Sequence, residues 1–531
     1  MKTLSSIIIL MLIVTGSVFA QFLNFLIHPS GNNQIEPSIV VSPQNHMLMF
    51  CSAYTISGSF RSEGIYVSTN GGTTWFGTDT CQGQPITTGH GGDPGPIIDK
   101  DGVFILTHQG GFFPGMYANF STNNGSTWSD NFTIAQNDQD KGSPGTDNIP
   151  TSPYYGRSFL VWTRFVSPFP VVISYTTNSG TSWQTPFIQI NNSLPGRQSL
   201  APVTATSPNG FQCVAWASSL TTSPFNEKSI GFAKSTNGGV NWSVQESVYD
   251  CNGVKTSSQA PWSIRINGYP SMDIDNTGGP RNGWIYIVTG EKDLAPAGTD
   301  PDIVFHRSTD NGATWSAGVR VNQDPINNGR VQFFPYIVVD GDGGLNVVYY
   351  DNRNTPDSLD VYISHSNNGG QTWTDHMISS HKYYPKAVSG AGAGNQGDNI
   401  GMTYFDGKLL PVWMDNTTGK YQVWGAIVDV SSIGVTSISS EIPESFTLDQ
   451  NYPNPFNPST KINFSLPVRS AVSLQVYDMS GRLVKTLAES GEFSPGSYSI
   501  DFDGSALSSG VYYYSLRTES GVLTRKMVLL K

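Results

Sequence analysis

The residues with chemistry to offer stand where short apolar runs begin and end. Glu36, Asp93, Asp147, Arg197, Arg330 and Asp398 come at the approach to such runs; His108, Arg164, Glu291, Asp351, Arg353 and Asp415 come at their ends. Only 13% of the chain is charged, about half the usual share, so charges gathered at these points are a feature of the design. Arginine forks onto carboxylates, and acids accept from hydroxyls. Asp93, Asp147, Arg164, Glu291 and Arg353 are therefore candidate binding residues for a glycan or a surface protein. Two carboxyl groups flanking a glycosidic bond would cleave it, and Glu36, Asp351 and Asp415 are the candidates for that role. Asp351 and Asp415 end equivalent runs in successive units, and Arg353 either joins the site or neutralises Asp351.

Other chemistries lack their residues. Asp99-Lys100-Asp101-Gly102 and Asp340-Gly341-Asp342-Gly343-Gly344 are superficially like calcium loops but lack the remaining oxygen ligands and the closing Glu. They read as hairpin turns. No two of Cys51, Cys81, Cys213 and Cys251 form a Cys-x₂₋₄-Cys pair, which disfavours zinc, so neither metal nor cofactor is expected. The cysteine spacings instead favour disulfides Cys51 to Cys81 and Cys213 to Cys251, each stapling one repeat. Phosphate-binding glycine loops and nucleophile elbows are absent from the sequence. With 29 basic against 40 acidic residues and no basic run, nothing offers a grip on nucleic acid.

The elements that must position these residues are strands. A composition of 56 Gly, 33 Pro and 12% aromatics predicts an all-β, turn-rich chain. One turn recurs six times: Ser-Thr-Asn-Gly-Gly-Thr-Thr-Trp over residues 68–75, then 121–128, 176–183, 235–242, 308–315 and 366–373, ending on Trp75, Trp128, Trp183, Trp242, Trp315 and Trp373. Asn or Asp bonds backbone two residues on, Gly takes positive φ, and the Trp buries its ring as a plug between strands. Each unit also has a Pro-led strand and an aromatic, β-branched strand before the turn, making four strands, the pattern of a propeller blade.

These turns resemble the Asp-box, or BNR repeat, of sialidase-type β-propellers, with Asn in five copies where that family prefers Asp and Asp310 in the sixth. In that family the turn is structural. The resemblance implies a sialidase fold, whose catalytic set includes three arginines, a Tyr nucleophile with a Glu partner, an Asp acid and a Phe-Arg-Ile-Pro segment. Here the corresponding place reads Gln34-Ile35-Glu36-Pro37, an acid where an arginine is expected. Arg164, Arg197, Arg330 and Arg353 remain as another carboxylate clamp, and Tyr54, Tyr350 and Tyr404 fall near funnel positions. Two functions follow as expectations: a propeller that binds glycan or protein through its central funnel, and, as the alternative, a diverged glycoside hydrolase or polysaccharide lyase.

Residues outside the six units suffice for a seventh. Runs at 399–404, 409–414 and 421–428 supply three strands, and residues 22–27 would pair with the last of them and close the ring. This predicts seven blades, with the six of sialidases as the alternative, over residues 21–430. Residues 1–20 have a positive start, an apolar stretch and a small-residue end at Ala20, the pattern of a signal peptide too short to span a membrane. A Ser-rich linker, 431–441, precedes a small Ig-like β-sandwich at 442–531. The segments Asn451 to Thr460, Val476 to Arg482 and Gly510 to Leu516 resemble the C-terminal sorting domain of type IX secretion. That implies the type IX machinery as partner, and release from or display on the surface of a Gram-negative cell.

Overall fold

The six turns fold alike in the computed structural model, which describes residues 22–111, 114–254, 262–439 and 441–531; the expected signal peptide lies outside them. In the first turn, Ser68 Oγ accepts from the Gly72 N–H and Asn70 Oδ1 from the Thr74 N–H, each at 2.9 Å. The same two bonds recur around Ser121, Thr176, Ser235, Ser308 and Ser366. The turn needs one acceptor oxygen, and an amide carbonyl supplies it as a carboxylate does, which accounts for Asn in five copies. Gly72 sits at φ +80°, where any β-carbon would be strained. The tryptophans lie against the preceding sheet: Trp128 on Phe50, Trp315 on Phe232 and Trp373 on Phe305, with ring centroids 5.3 to 5.5 Å apart. Trp75 and Trp242 anchor through Nε1 to Gly72 and Gly239 carbonyls, and Trp183 is buried between the second and third sheets.

Strands on either side of each turn assemble into antiparallel sheets of four or five. In chain order these comprise residues 33–78, 90–136, 139–189, 197–250, 271–320 and 332–377, and a seventh sheet in which 401–429 is joined by Asn24–Leu26. The closing strand pairs as expected, Asn24 with Ala426, Phe25 with Gly425 and Leu26 with Trp424. Innermost strands of successive sheets pack against one another, and the seventh packs against the first, so the ring is closed. The apolar core accordingly lies mostly between neighbouring sheets. Phe232 of the fourth, for example, is buried with Met272 and Ile287 of the fifth.

All four cysteines are free thiols, contrary to the expected disulfides. Cys51 faces the seventh sheet, buried with Leu410 and Val412, whereas Cys81 faces the second, with Phe104 and Leu106. They stand on opposite faces of their sheet. Cys213 lies on the second strand of its sheet and Cys251 just past the fourth. At about 4.8 Å per strand, two strands of separation exceed the Cα spacing of about 7 Å that a disulfide tolerates.

Residues 435–529 form two four-stranded antiparallel sheets over a common core that includes Phe464, Tyr498, Tyr514 and Leu516. The strand Val435–Ser439 pairs with Gly496–Asp503, so part of the stretch expected as linker belongs to this sandwich, with Val435 buried in its core. A serine-rich segment still pairs its backbone when one apolar side chain can be sealed. Arg281 binds Asp503 at 3.1 Å and Asn367 Nδ2 donates to the Asp501 carbonyl at 2.9 Å, which seats the sandwich against the turn-bearing face of the ring. Among the described residues no helix is long and apolar enough to cross a membrane.

Candidate functional site

Five sheets place a left-handed, non-glycine residue at one level of their innermost strand: Glu36 at φ +58°, Asp93 at +56°, Lys141 at +57°, Ala201 at +47° and Phe334 at +52°. At each, pairing to the second strand slips by a bulge. Such backbone costs about 1 kcal/mol or more per residue, so its repetition around the ring marks a shared constraint. A bulge bends its strand and re-aims the side chain. Here the bent level bounds an axial cavity of about 410 Å³. Its wall is mixed, with Val40, Ile97, Pro144, Pro202 and Ile400 beside Ser143, Asn148, Asp273 and Thr403, and one end carries Asp93, Lys141, Asn267, Tyr269 and Asp398.

The polar end is a single network drawn from across the ring. Lys141 Nζ reaches Asp93 Oδ1 at 3.1 Å and Asp398 Oδ2 at 2.6 Å, and the Lys141 N–H donates to Asp93 Oδ2 at 2.9 Å. Arg265 Nη2 adds a contact to Asp398 at 3.3 Å, and the Asp93 N–H donates to Glu36 Oε2 at 3.2 Å. Burial pushes the Glu36 carboxyl up to about 7; Lys141 opposes the shift while Asp93 and Asp398 add to it. Asp140 is raised to about 6, by burial first and then by Asp93. The network thus combines ion-paired acceptors with carboxyls that keep their protons toward neutral pH and can donate. Antiparallel alternation puts it on the face where innermost strands begin, opposite the six turns. Exposed Phe165 and Phe225 lie on strand-to-strand loops of that face.

Of the residues expected from sequence, Glu36, Asp93 and Asp398 meet in this network; the others do not. Asp147 follows its innermost strand, Gln139–Thr146, and accepts from the Ile149 N–H at 3.1 Å and from Ser152 Oγ. Its expected place at the strand entry is therefore corrected: Asp140 and Lys141 occupy it, and Asp147 holds a turn at the far end. Glu291 is buried away from the cavity, takes a bond from Thr289 Oγ1 at 2.6 Å, and is raised by burial to about 7. Asp351 is clamped by Arg353 at 2.6 Å, and Arg353 also binds Asp375 and lies over the Tyr362 ring at 4.2 Å. Asp415 is engaged by His381 Nε2 at 2.8 Å and by Thr417. Asp351 and Asp415 thus belong to separate clusters. Arg164 lies over Phe187 and Arg197 points to the Ser218 carbonyl, so the arginines expected as a clamp have separate partners.

Lys141, Asp140 and Arg265 were not found from sequence. One signal was present: Ser143-Pro144 takes the place of Gly95-Pro96, both pairing directly after the bulge, and aligning them sets Lys141 opposite Asp93. Arg265 lies in an irregular segment that carries no period.

The chain matches the secretion system C-terminal sorting domain family over residues 450–530. No curated protein matches it. Among solved structures it is similar to a protein of unknown function from Dyadobacter fermentans DSM 18053, at 12% identity over 78% of this chain and 98% of that one, with a TM-score of 0.43. It is also similar to an ulvan lyase, a polysaccharide lyase, at 11% identity over 75% and 94% (TM-score 0.47). A third is the α-L-arabinofuranosidase of Fusarium graminearum with arabinobiose, at 11% identity over 79% and 99% (TM-score 0.40).

Proposed function

We propose that this chain, whose residues 450–530 are a secretion system C-terminal sorting domain, is an exported, sialidase-like seven-bladed β-propeller that binds a glycan at the charged end of its axial channel. The propeller spans 21–430, and residues 442–531 engage the type IX secretion machinery for release or surface display. The observation that carries the reading is the convergence of Glu36, Asp93, Lys141, Arg265 and Asp398, from five parts of the ring, in one network, of which Asp93, Lys141 and Asp398 line the axial cavity. Saccharide hydroxyls both donate and accept, and this mixture of ionised and protonated carboxyls answers both needs. Exposed Phe165 and Phe225 add apolar faces on which sugar rings can lie. With Glu36 and Asp140 raised toward neutral pH, Asp93 and Asp398 already match Lys141 and Arg265, and no cation is left over for a ligand carboxylate. That balance favours a neutral saccharide over a sialic acid or uronate.

A glycoside hydrolase or lyase is the second reading, and Glu36 favours it. A carboxyl protonated to about pH 7 beside an ion-paired Asp93 is the division of labour that glycosidic cleavage uses.

The deciding experiment is a glycan-array screen of the full-length protein and its Asp398→Asn variant, beside a glycosidase and lyase panel. Retention of neutral glycans by the wild type, lost in Asp398→Asn and without turnover, is the expected result. Turnover abolished by Glu36→Gln would establish the enzyme instead. Silence in both assays would overturn glycan recognition and leave a protein as the ligand.

A further inference from the structure

A second cluster of reactive side chains lies at the junction of the first two sheets, apart from the axial site. Glu63 closes the strand Phe60–Glu63, Cys81 follows the last strand of the first sheet, His90 opens His90–Ile98, and His108 lies on Phe104–Gly110. All four are sealed from solvent, at 0 to 1% exposure. One ligand atom from each of Cys81, His90 and His108 lies within 4.8 Å of the other two, and Glu63 Oε1 is 3.5 Å from His90 Nδ1. Five polar atoms here make no hydrogen bond of good geometry: both carboxyl oxygens of Glu63, both ring nitrogens of His90, and His108 Nδ1; only weaker backbone contacts reach these residues, from Gly92 to Glu63, Ile86 to His90 and Gln109 to His108. Buried polar atoms are well paired in the great majority of cases, and five poorly satisfied ones gathered in one cluster call for an explanation.

The orientation of His108 is decided by its neighbours. Its Nε2 lies 2.9 Å from Asn131 Oδ1, and the Asn131 amide nitrogen is committed to the Gly83 and Ile86 carbonyls at 2.9 Å each. The oxygen of Asn131 therefore faces the ring, Nε2 carries the proton and donates it, and Nδ1 is the nitrogen left with a lone pair to offer a metal. This is how proteins hold a metal-binding imidazole, one nitrogen tied to an acceptor and the other aimed at the ion.

We infer that Glu63, Cys81, His90 and His108 form a closed site for a divalent transition metal, with zinc as the ion. A thiolate, two neutral imidazoles and a carboxylate suit zinc, and the sulfur and nitrogen donors are wrong for calcium or magnesium. Four protein ligands in a sealed pocket leave no open coordination position, so the ion is structural. It ties the first sheet to the second through side chains that no strand pairing joins. The His90 and His108 rings stack at 4.4 Å with their planes 12° apart. A metal lies in the plane of its imidazole, so binding tilts one ring out of the stack and draws the donors in to about 3.5 Å of one another, the edge of a tetrahedron with bonds of about 2.0 to 2.3 Å. The sequence disfavours zinc for want of a paired-cysteine motif; the fold supplies ligands from four separate strands and loops instead.

The test is metal content and cobalt spectroscopy on the full-length protein. Elemental analysis of protein purified without chelators should find one zinc per chain. After removal of zinc, added cobalt(II) should give a thiolate-to-metal charge-transfer band. Cys81→Ser should abolish that band, His108→Ala should lose the bound metal, and Cys251→Ser should change neither. Wild-type protein that holds no zinc and gives no band with cobalt overturns the site even if the variants fail to fold. A band that survives Cys81→Ser does the same, and copper bound in place of zinc would overturn the choice of ion.

Discussion

Glu36→Gln should make this protein more stable at pH values above about 5 and leave it unchanged below. Glu36 is 5% exposed, and burial moves its ionisation from the ordinary 4.5 to about 7. Between those values the folded chain holds a proton that the unfolded chain has released. Stability from this group is therefore fully present below pH 4.5, falls as pH rises from there, and is gone once pH has passed through 7. At about 1.4 kcal/mol per pH unit, the loss by pH 8 is about 3 kcal/mol. Glutamine cannot ionise and keeps a carbonyl oxygen for the Asp93 N–H that Glu36 now accepts. Raised Asp140 is common to both proteins and cancels. For a ring of about 400 residues, with an unfolding entropy of about 2 cal/mol/K per residue, 3 kcal/mol is a rise of about 3 to 4 °C in the thermal midpoint. Scanning calorimetry at pH 4.5, 6 and 8 should show the two midpoints together at the lowest pH and apart at the highest. Midpoints that run parallel across the range, or a variant that melts lower at pH 8, would refute the assignment of a protonated carboxyl to Glu36.

Lys141→Met strands Asp93 and Asp398 without their shared cation and should cost about 3 to 5 kcal/mol, part of which Asp398→Asn should restore in the double variant; denaturant midpoints measure both. Asp310→Asn should stay within about 0.5 kcal/mol of wild type, since five turns already use Asn, whereas Asn70→Ala should lose about 1 kcal/mol with its hydrogen bond. Deleting residues 22–27 removes the strand that closes the ring and bares the edge of Gln422–Ala426, so size-exclusion chromatography should show the variant eluting as larger species than the intact protein.

The repeats were legible because each turn is chemically complete within a few residues. Ser68 to Gly72 and Asn70 to Thr74 are bonds between neighbours in sequence, and such patterns survive without knowledge of the fold. Closure by residues 22–27 was legible too, because one unit was short by one strand. Glu36 and Asp93 were found because Pro37 and Pro94 mark where an innermost strand begins. Lys141 is hard to read from sequence because Gly142 stands where the other four bulged strands have proline, and Asp147, which has the look of a strand entry, lies past the end of Gln139–Thr146. Asp351 and Asp415 matched in strand position, but position along a strand says nothing of which neighbour claims the side chain, and Arg353 and His381 claim them.

By itself, then, the sequence determined strand content, the turns and the C-terminal sorting segment, all of them written in contacts of short range. Tertiary structure alone decided which side chains meet. Ring closure brings Lys141 to Asp398 across the channel, and it turns Cys51 and Cys81 to opposite faces of one sheet. Cys81 is thereby left beside His90 and His108 rather than in a disulfide. The physical reason is that a side chain's partners depend on which face of a sheet it leaves and which sheet lies next, and neither is set until every sheet has found its neighbour.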